Sequence, residues 1–360
     1  MEAEYVPEPA SGVTGAKAIS PVVIRYGRVG DMVMQEPLLR SLHRRYGLPC
    51  ILVTTGAWSP AIFRASPHVA TTTVLRGRHR PFVLSPDRWK LVAMLRHHEG
   101  PIYVSEDIER QLDRIRRLLR YAGVPPERCV FLEDIRSTDE HVVDRLLCLA
   151  ASTPAAWSPT NYPQPAGRIL PIPTLDVRPE DRVACETWLR DSGWAGRPIV
   201  LLQPGSKHAI KWGRQRNNAK AWPSERWTEL VGLLSSHVQH GVFLLCGSRQ
   251  ERSFLNALRD RSSTAGVTMG VADVPLQRLM SLMCVAHSMV SVDTGPAHLA
   301  AALGCPLVVI YGSEPRRLWS RRSIVPDSVM ELGGPPDHAR ADAIATSAVF
   351  EAWRSLTHRR

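Results

Sequence analysis

The run Asp293-Thr294-Gly295-Pro296-Ala297-His298 puts a carboxylate, a hydroxyl, a residue without Cβ, a residue without an N–H and an imidazole within six positions. An apolar, partly β-branched stretch at 288–292 precedes it, and an Ala/Leu-rich stretch ending in Gly304-Cys305-Pro306 follows, before a second apolar run at 307–311. This order predicts a strand, a tight turn, a helix and another strand. Pro296 suits the first helical turn, where its missing N–H would lack a partner anyway. Gly304 suits the left-handed position past the helix end. The amides of Thr294, Gly295 and Ala297 should then converge at a helix N-terminus, where the dipole favours an anion. Gly295 would let that anion come close to the backbone. The chemistry is either a phosphate seat or an ordinary helix capped by Asp293.

Two other segments carry chemistry. In Val22-Val23-Ile24-Arg25-Tyr26-Gly27-Arg28-Val29-Gly30-Asp31 an apolar strand-like run ends in a glycine-flanked turn with a carboxylate just before a helical pattern. Asp31 there is either a proton acceptor at a strand end or a cap for a helix beginning at Met32. In Lys220-Ala221-Trp222-Pro223-Ser224-Glu225-Arg226-Trp227 a lysine precedes two tryptophans, after a basic loop that also holds Lys207, Lys211, Arg214 and Arg216.

Taken in order, these three segments resemble the landmarks of family 9 glycosyltransferases, the lipopolysaccharide heptosyltransferases. The first is the Gly-Asp turn after strand one, the second is Lys-x-Trp-Pro-x-x-x-Trp, and the third is Asp-x-Gly-x-x-His followed by Ala-Ala-x-Gly. The span from Val22 to about Trp319 fits the family's length. The resemblance implies a GT-B architecture, α/β, with two Rossmann-like parallel-sheet domains facing an interdomain cleft. It implies an inverting, metal-independent transfer of heptose from ADP-L-glycero-D-manno-heptose to the inner core of lipopolysaccharide. The alternative within the family is another nucleotide sugar or an acceptor other than lipopolysaccharide.

Site residues follow from the same resemblance. Asp31 matches the base that takes the acceptor hydroxyl proton, and Gly30 lies where an acceptor sugar would approach. Asp293 matches a contact to the donor sugar, while Thr294, Gly295 and His298 match the residues that hold the diphosphate. Lys220 matches the lysine on the donor phosphates, with Lys211 and Lys207 as alternatives in the longer loop, and Ser206 matches a small hydroxyl there. Val274 matches an apolar position beside the base. Glu251 matches the acidic ribose contact, with Arg249 as the alternative by spacing. No cofactor is implied. The partners implied are the ADP-heptose donor and an anionic glycolipid acceptor, in the cytoplasm or peripherally at the inner face of the inner membrane, with the oligomeric state left open.

Composition narrows the classes. The 360 residues are 44% hydrophobic and 22% charged, enough for two domains with separate cores. No apolar run approaches the roughly 20 residues needed to span a bilayer. Residues 1–17 carry Glu2, Glu4, Glu8 and two prolines without an apolar core, which reads as a disordered tail and not a signal peptide. The seven cysteines are scattered with no Cys-x-x-Cys pair, so neither a zinc site nor a disulfide framework is expected. Gly27-x-x-Gly30 lacks the dinucleotide-binding spacing.

The net charge of +11 speaks to partners. Basic residues gather in the first half, among them Arg76, Arg78, Arg80, Arg88, Lys90 and Arg96, then Arg110, Arg114, Arg116, Arg117 and Arg120. Asp113 is placed to pair with Arg116 or Arg117, so part of this is a solvated face. The rest suits an anionic acceptor, for which Arg78, Arg80 and Arg117 are the candidates. No zinc-finger or RNP-type motif supports nucleic acid.

The elements that must position these groups alternate. Residues 21–26, 50–55, 101–105 and 128–132 read as buried strands, and 32–46 and 108–122 as helices. Residues 151–180 hold seven prolines, marking a joint. Alternation resumes with a strand at 198–203, a helix at 224–238 capped by Ser224, a strand at 241–246 and a segment at 275–287. The expected domains are 18–160 for the acceptor, a linker at 161–180, 181–335 for the donor, and a helical segment within 336–360 returning toward the first domain.

Overall fold

The computed structural model describes residues 17–76, 85–135, 140–165, 167–205, 218–263, 267–272 and 274–357. All but Lys17 of the expected tail therefore lies outside the described residues. The chain divides into two compact units, one of residues 1–28 and 34–171, the other of residues 29–33 and 172–360. The division falls inside the Pro-rich joint. Residues up to 171 belong with the first unit, where Arg45 Nε donates to the Tyr162 carbonyl at 3.1 Å.

Among the described residues the first unit holds β1 (Val22–Ile24), β2 (Cys50–Thr54), β3 (Val69–Val74), β4 (Ile102–Val104) and β5 (Cys129–Phe131). They form one parallel sheet in the order β3-β2-β1-β4-β5. Short helix α1 (Val29–Val33) follows β1 but is grouped with the second unit. The first unit's helices are α2 (Glu36–Tyr46), α3 (Ser59–Ile62), α4 (Pro86–His97), α5 (Glu109–Ala122) and α6 (Val142–Ala151). Leu91 and Leu95 of α4 and Leu112, Ile115 and Leu119 of α5 build a core with Ile24, Ile102 and Val104.

The single helix expected over 32–46 is two. Pro37 is the cause: in a continuous helix its ring would strike the carbonyl of Val33. The chain instead breaks at Met34 and Gln35, and Pro37 sits in the first turn of α2, where it is tolerated.

The second unit holds β6 (Ile199–Gln203), β7 (Val242–Cys246), β8 (Thr268–Ala272), β9 (Ser288–Val292), β10 (Leu307–Tyr311) and β11 (Val329–Gly333). They make a parallel sheet in the order β11-β10-β9-β6-β7-β8. Its helices are α7 (Pro179–Asp191), α8 (Ser224–Ser235), α9 (Arg252–Ser262), α10 (Leu276–Val285), α11 (Gly295–Ala302), α12 (Arg316–Trp319) and α13 (Thr346–Arg354). Ser224 is the first residue of α8 and does not cap it; Pro223 holds the cap position. The segment expected to return toward the first domain forms α13, whose Val349, Phe350 and Trp353 lie in the second unit's core. Trp353 Nε1 donates to Ser288 Oγ at 2.9 Å, tying α13 to the start of β9.

Each sheet reverses its order once, between β1 and β4 in the first unit and between β6 and β9 in the second. Ligands of open parallel sheets bind beyond the strand carboxyl ends at such a switch point. Among the described residues no helix is long and apolar enough to cross a membrane.

Candidate active site

Asp293 follows β9 directly, at the switch point of the second sheet, and is only 7% exposed. Both of its oxygens are engaged by cations. Lys220 Nζ lies 2.7 Å from Oδ2, and the Arg321 guanidinium pairs with Oδ1. Burial alone would push this carboxyl up, but Arg321 and Lys220 outweigh it and hold it at about 2. Asp293 is thus a permanent carboxylate, and it does not cap the helix behind it. Helix α11 starts after Thr294 with no side-chain cap at all. Of the three amides expected to converge there, that of Ala297 bonds the Thr294 carbonyl at 3.2 Å and is already used. Gly304 ends the helix with φ of 64°, the left-handed position expected for it.

The sequence reading missed Arg321. Its side chain is fully buried, and its ring-facing partner is Tyr311, 4.8 Å from the guanidinium carbon to the ring centroid. Nε and Nη1 find no hydrogen-bond acceptor among the described residues. Its charge is therefore balanced by Asp293, by Glu331 at 4.0 Å and by the Tyr311 face. Glu331 also accepts from Tyr311 Oη at 2.9 Å and from the Arg321 amide at 2.8 Å. The only sequence signal was an arginine pair at 321–322 some ten residues beyond the second strand, which spacing alone does not connect to Asp293.

Lys220 is held from below by the motif it opens. Its amide donates to Asn218 Oδ1 at 3.0 Å, and a Cβ added at Gly312 after β10 would meet the Ala219 carbonyl at 2.2 Å. Trp222 and Trp227 are buried edge-to-face with centroids 5.0 Å apart, and Trp222 Nε1 donates to the Ile344 carbonyl at 2.9 Å. The tryptophans are core, and they fix the backbone from which the lysine reaches Asp293 and Glu314, 3.3 Å away. Lys207, Lys211 and Ser206 lie outside the described residues.

Helix α1, with half-exposed Asp31 in its only turn and a half, packs on the N-terminus of α11 inside the second unit. The glycines serve this approach. A Cβ at Gly295 would come within 2.7 Å of Val29 Cβ and 3.1 Å of the Gly30 amide. A Cβ at Gly30 would come within 2.8 Å of the His298 ring. Room expected beside Gly295 for an anion and beside Gly30 for a sugar is thus taken by the opposing helix and the imidazole. Any ligand contact at either residue has to come through its backbone. Replacing Gly295 by Ala should destabilise the second unit by about 1–3 kcal/mol, because the obstructing atoms include backbone. It should lower kcat more than the stability loss explains by prising α1 from α11; thermal unfolding and steady-state rates check this.

Glu251 and Val274 sit farther along the same sheet edge, after β7 and β8. Glu251 Oε2 accepts from the Ser248 amide and hydroxyl, both at 2.7 Å, closing a capping box, while buried Oε1 has no hydrogen-bond partner among the described residues. Val274 is half-buried ahead of α10. Arg249, the alternative, is exposed. Among the described residues no three His, Cys, Asp or Glu side chains gather in a way that would hold a metal.

The first unit has its own cluster at its switch point, also missed from sequence. Arg25 follows β1, and Nη1 donates to the Ser105 carbonyl at 2.6 Å and Asp107 Oδ1 at 2.9 Å, with Glu106 Oε1 3.5 Å away. Burial raises the Glu106 carboxyl against the opposing pull of Arg25. Arg25 directly after the apolar run 22–24, and Glu106 and Asp107 just past Ser105 beyond the run 102–104, were the available signal. Of the acceptor candidates, Arg117 is exposed on α5 with Nε donating to the Asp113 carbonyl at 3.4 Å, and Asp113 pairs instead with Arg116 at 3.5 Å. Arg78 and Arg80 lie outside the described residues.

Residues 131–329 match the family described as Glycosyltransferase family 9 (heptosyltransferase). The chain is 26% identical over 306 residues to lipopolysaccharide heptosyltransferase 2 of Escherichia coli K12, covering 81% of this chain and 82% of that protein. Among solved structures it is similar to E. coli ADP-heptose lipopolysaccharide heptosyltransferase II, with a TM-score of 0.68 at 21% identity over 94% of this chain and 98% of that one. The glycosyltransferase family 9 protein of Veillonella parvula gives 0.73 at 13% identity, covering 96% and 98%. At these identities the structural likeness speaks to the fold: two parallel-sheet α/β domains of the GT-B kind.

Proposed function

The chain belongs to glycosyltransferase family 9 (heptosyltransferase), and from that membership we propose that it moves heptose, with inversion and without a metal, from ADP-L-glycero-D-manno-heptose to the inner core of lipopolysaccharide. One observation carries the reading. The helix bearing Asp31 is packed on the N-terminus of α11 within the second unit, which supports reading Asp31 as the proton acceptor and the mouth of α11 as the anion seat.

In this mechanism the acceptor oxygen attacks the anomeric carbon from the face opposite ADP. Asp31 takes the hydroxyl proton as the bond forms. The departing diphosphate gathers charge at the mouth of α11, where the helix dipole, the His298 ring and the Lys220 ammonium neutralise it. Asp293 keeps that ammonium in place before the donor arrives, and the lysine's flexible stem lets it follow the charge. Lys220 and the helix end supply the charge neutralisation that a divalent ion gives other transferases. Glu251 Oε1 and Val274, on the same sheet edge, suit the ribose and the adenine. The arginines of the first unit, Arg117 included, suit carboxylates and phosphates on the acceptor, reached at the inner face of the inner membrane.

The test is a donor panel of ADP-heptose, UDP-sugars and GDP-sugars against heptose-deficient lipopolysaccharide, reading nucleotide release and product mass. ADP release and a one-heptose mass gain with ADP-heptose are expected. Preferential turnover of a UDP- or GDP-sugar would move the assignment to another donor within the family.

A further inference from the structure

We infer that Glu314 is a displaceable counter-ion for Lys220, holding the ammonium until the diphosphate of a nucleotide sugar takes its place. The inference rests on the reading of Lys220 as the donor-phosphate contact and adds what regulates that contact. Lys220 Nζ stands between two carboxylates of different kinds. Asp293, at 2.7 Å, is buried and its other oxygen is bound to Arg321, so it is fixed whether or not the lysine moves. Glu314, at 3.3 Å, has a side chain 43% exposed and pairs with no other cation among the described residues. Its carboxylate can turn into water at small cost, because exposed ion pairs are weak and screened.

The sign of the local charge gives the displacement its reason. Ion pairs join two cations, Lys220 and Arg321, to three carboxylates, Asp293, Glu314 and Glu331. Asp293 and Glu331 already balance the cations, so Glu314 leaves the group one negative charge in excess. That sign is wrong for receiving an anion. A diphosphate arriving beside Lys220 is attracted by the ammonium and repelled by the Glu314 carboxylate. Moving that carboxylate away removes the repulsion and frees a second of the ammonium's three protons for phosphate oxygens.

The backbone around Glu314 is seated, which confines the motion to the side chain. A Cβ added at Gly312 would strike the Ala219 carbonyl, and one at Gly334 would lie 3.2 Å from the Glu314 carbonyl oxygen. Rotation about the side chain's own staggered bonds then carries the carboxylate away without shifting the chain. The rival role for Glu314 is a direct contact to the donor sugar. Such a carboxylate would be needed in place when the donor binds, and its removal would weaken donor binding instead of strengthening it.

Isothermal titration of the full chain with ADP, in the absence of acceptor, reads the effect directly. Glu314→Gln keeps the shape, removes the charge, and should bind ADP roughly twofold to fivefold more tightly than the parent. In turnover its donor KM should fall by a similar factor with no rise in kcat, and its unfolding midpoint should stay at the parent's. Asp337→Asn removes an exposed carboxylate that pairs with Arg316 at 3.6 Å, and it should leave ADP affinity unchanged. Unchanged or weaker ADP binding by folded Glu314→Gln, or an equal gain in Asp337→Asn, would overturn the inference. Lys220→Met separates this result from the reading beneath it. ADP binding as in the parent would show that Lys220 does not meet the diphosphate, and both would fall. Binding weakened at least about tenfold, with no gain from Glu314→Gln, would sink the displacement alone. Should the donor panel select a UDP- or GDP-sugar, the matching nucleoside diphosphate is titrated instead and the same signs are expected.

Discussion

Replacing Asp31 by Asn is expected to lower kcat by about 10²–10⁴-fold, the range of a positioned general base, with the donor KM within about twofold. Asparagine keeps the shape and the polar character of the side chain but cannot take the acceptor proton. The groups assigned to the donor, Lys220, Thr294, His298 and the first turn of α11, are untouched by the change. Asp31 is half-exposed on a five-residue helix, so the unfolding midpoint should move little. Steady-state kinetics with ADP-heptose, paired with thermal unfolding, separates the two effects. A folded Asp31→Asn protein keeping more than about a tenth of the parent kcat would remove Asp31 from the chemistry.

Asp293→Asn is expected to strike stability first. It leaves the Arg321 guanidinium, wholly buried and already short of acceptors, without its main counter-charge. Breaking one side of a buried pair costs about 3–5 kcal/mol. The same change frees the Lys220 ammonium from its 2.7 Å partner, so donor affinity should fall as well. The pair Asp293→Leu with Arg321→Met should recover folding better than turnover, since it removes the uncompensated charge but leaves Lys220 unanchored.

The pH dependence follows from the same carboxyl. Its folded value of about 2 lies below the ordinary 3.8. The stabilisation is therefore complete above the ordinary value and is lost as pH falls through the folded one. Denaturant titrations should show the gap between parent and Asp293→Asn narrowing between those two values and constant from there to neutrality. A gap that grows as pH falls through this window would contradict the pairing.

Much of the fold was legible because the buried strands of a parallel sheet must be apolar on both faces. The runs at 22–24, 199–203, 242–246 and 307–311 announce themselves for that reason. The strands that went unread, β3, β8 and β11, are sheet edges. An edge strand has fewer neighbours to satisfy, so Val69-Ala70-Thr71-Thr72-Thr73-Val74 and Val329-Met330-Glu331-Leu332-Gly333 tolerate polar residues and carry no clean pattern. The carboxy-terminal helix fills only Thr346–Arg354 of the segment expected within 336–360, since its apolar spacing does not say where packing against β10 and α8 begins.

For the site, the sequence by itself determined the chemical types: an aspartate after the first strand, a lysine before paired tryptophans, and a turn of Asp, Thr and Gly entering a helix. Local steric and dipolar rules act over a few residues, so those features can be read from neighbours along the chain. Tertiary structure decided which partners they have. Only folding brings Arg321 under Asp293 and Lys220 over it, and seats Gly30 and Gly295 between two helices that are more than 250 residues apart in the chain. Contacts of that span depend on how the sheet orders its strands, and no local pattern of residues encodes the pairing of two distant charges.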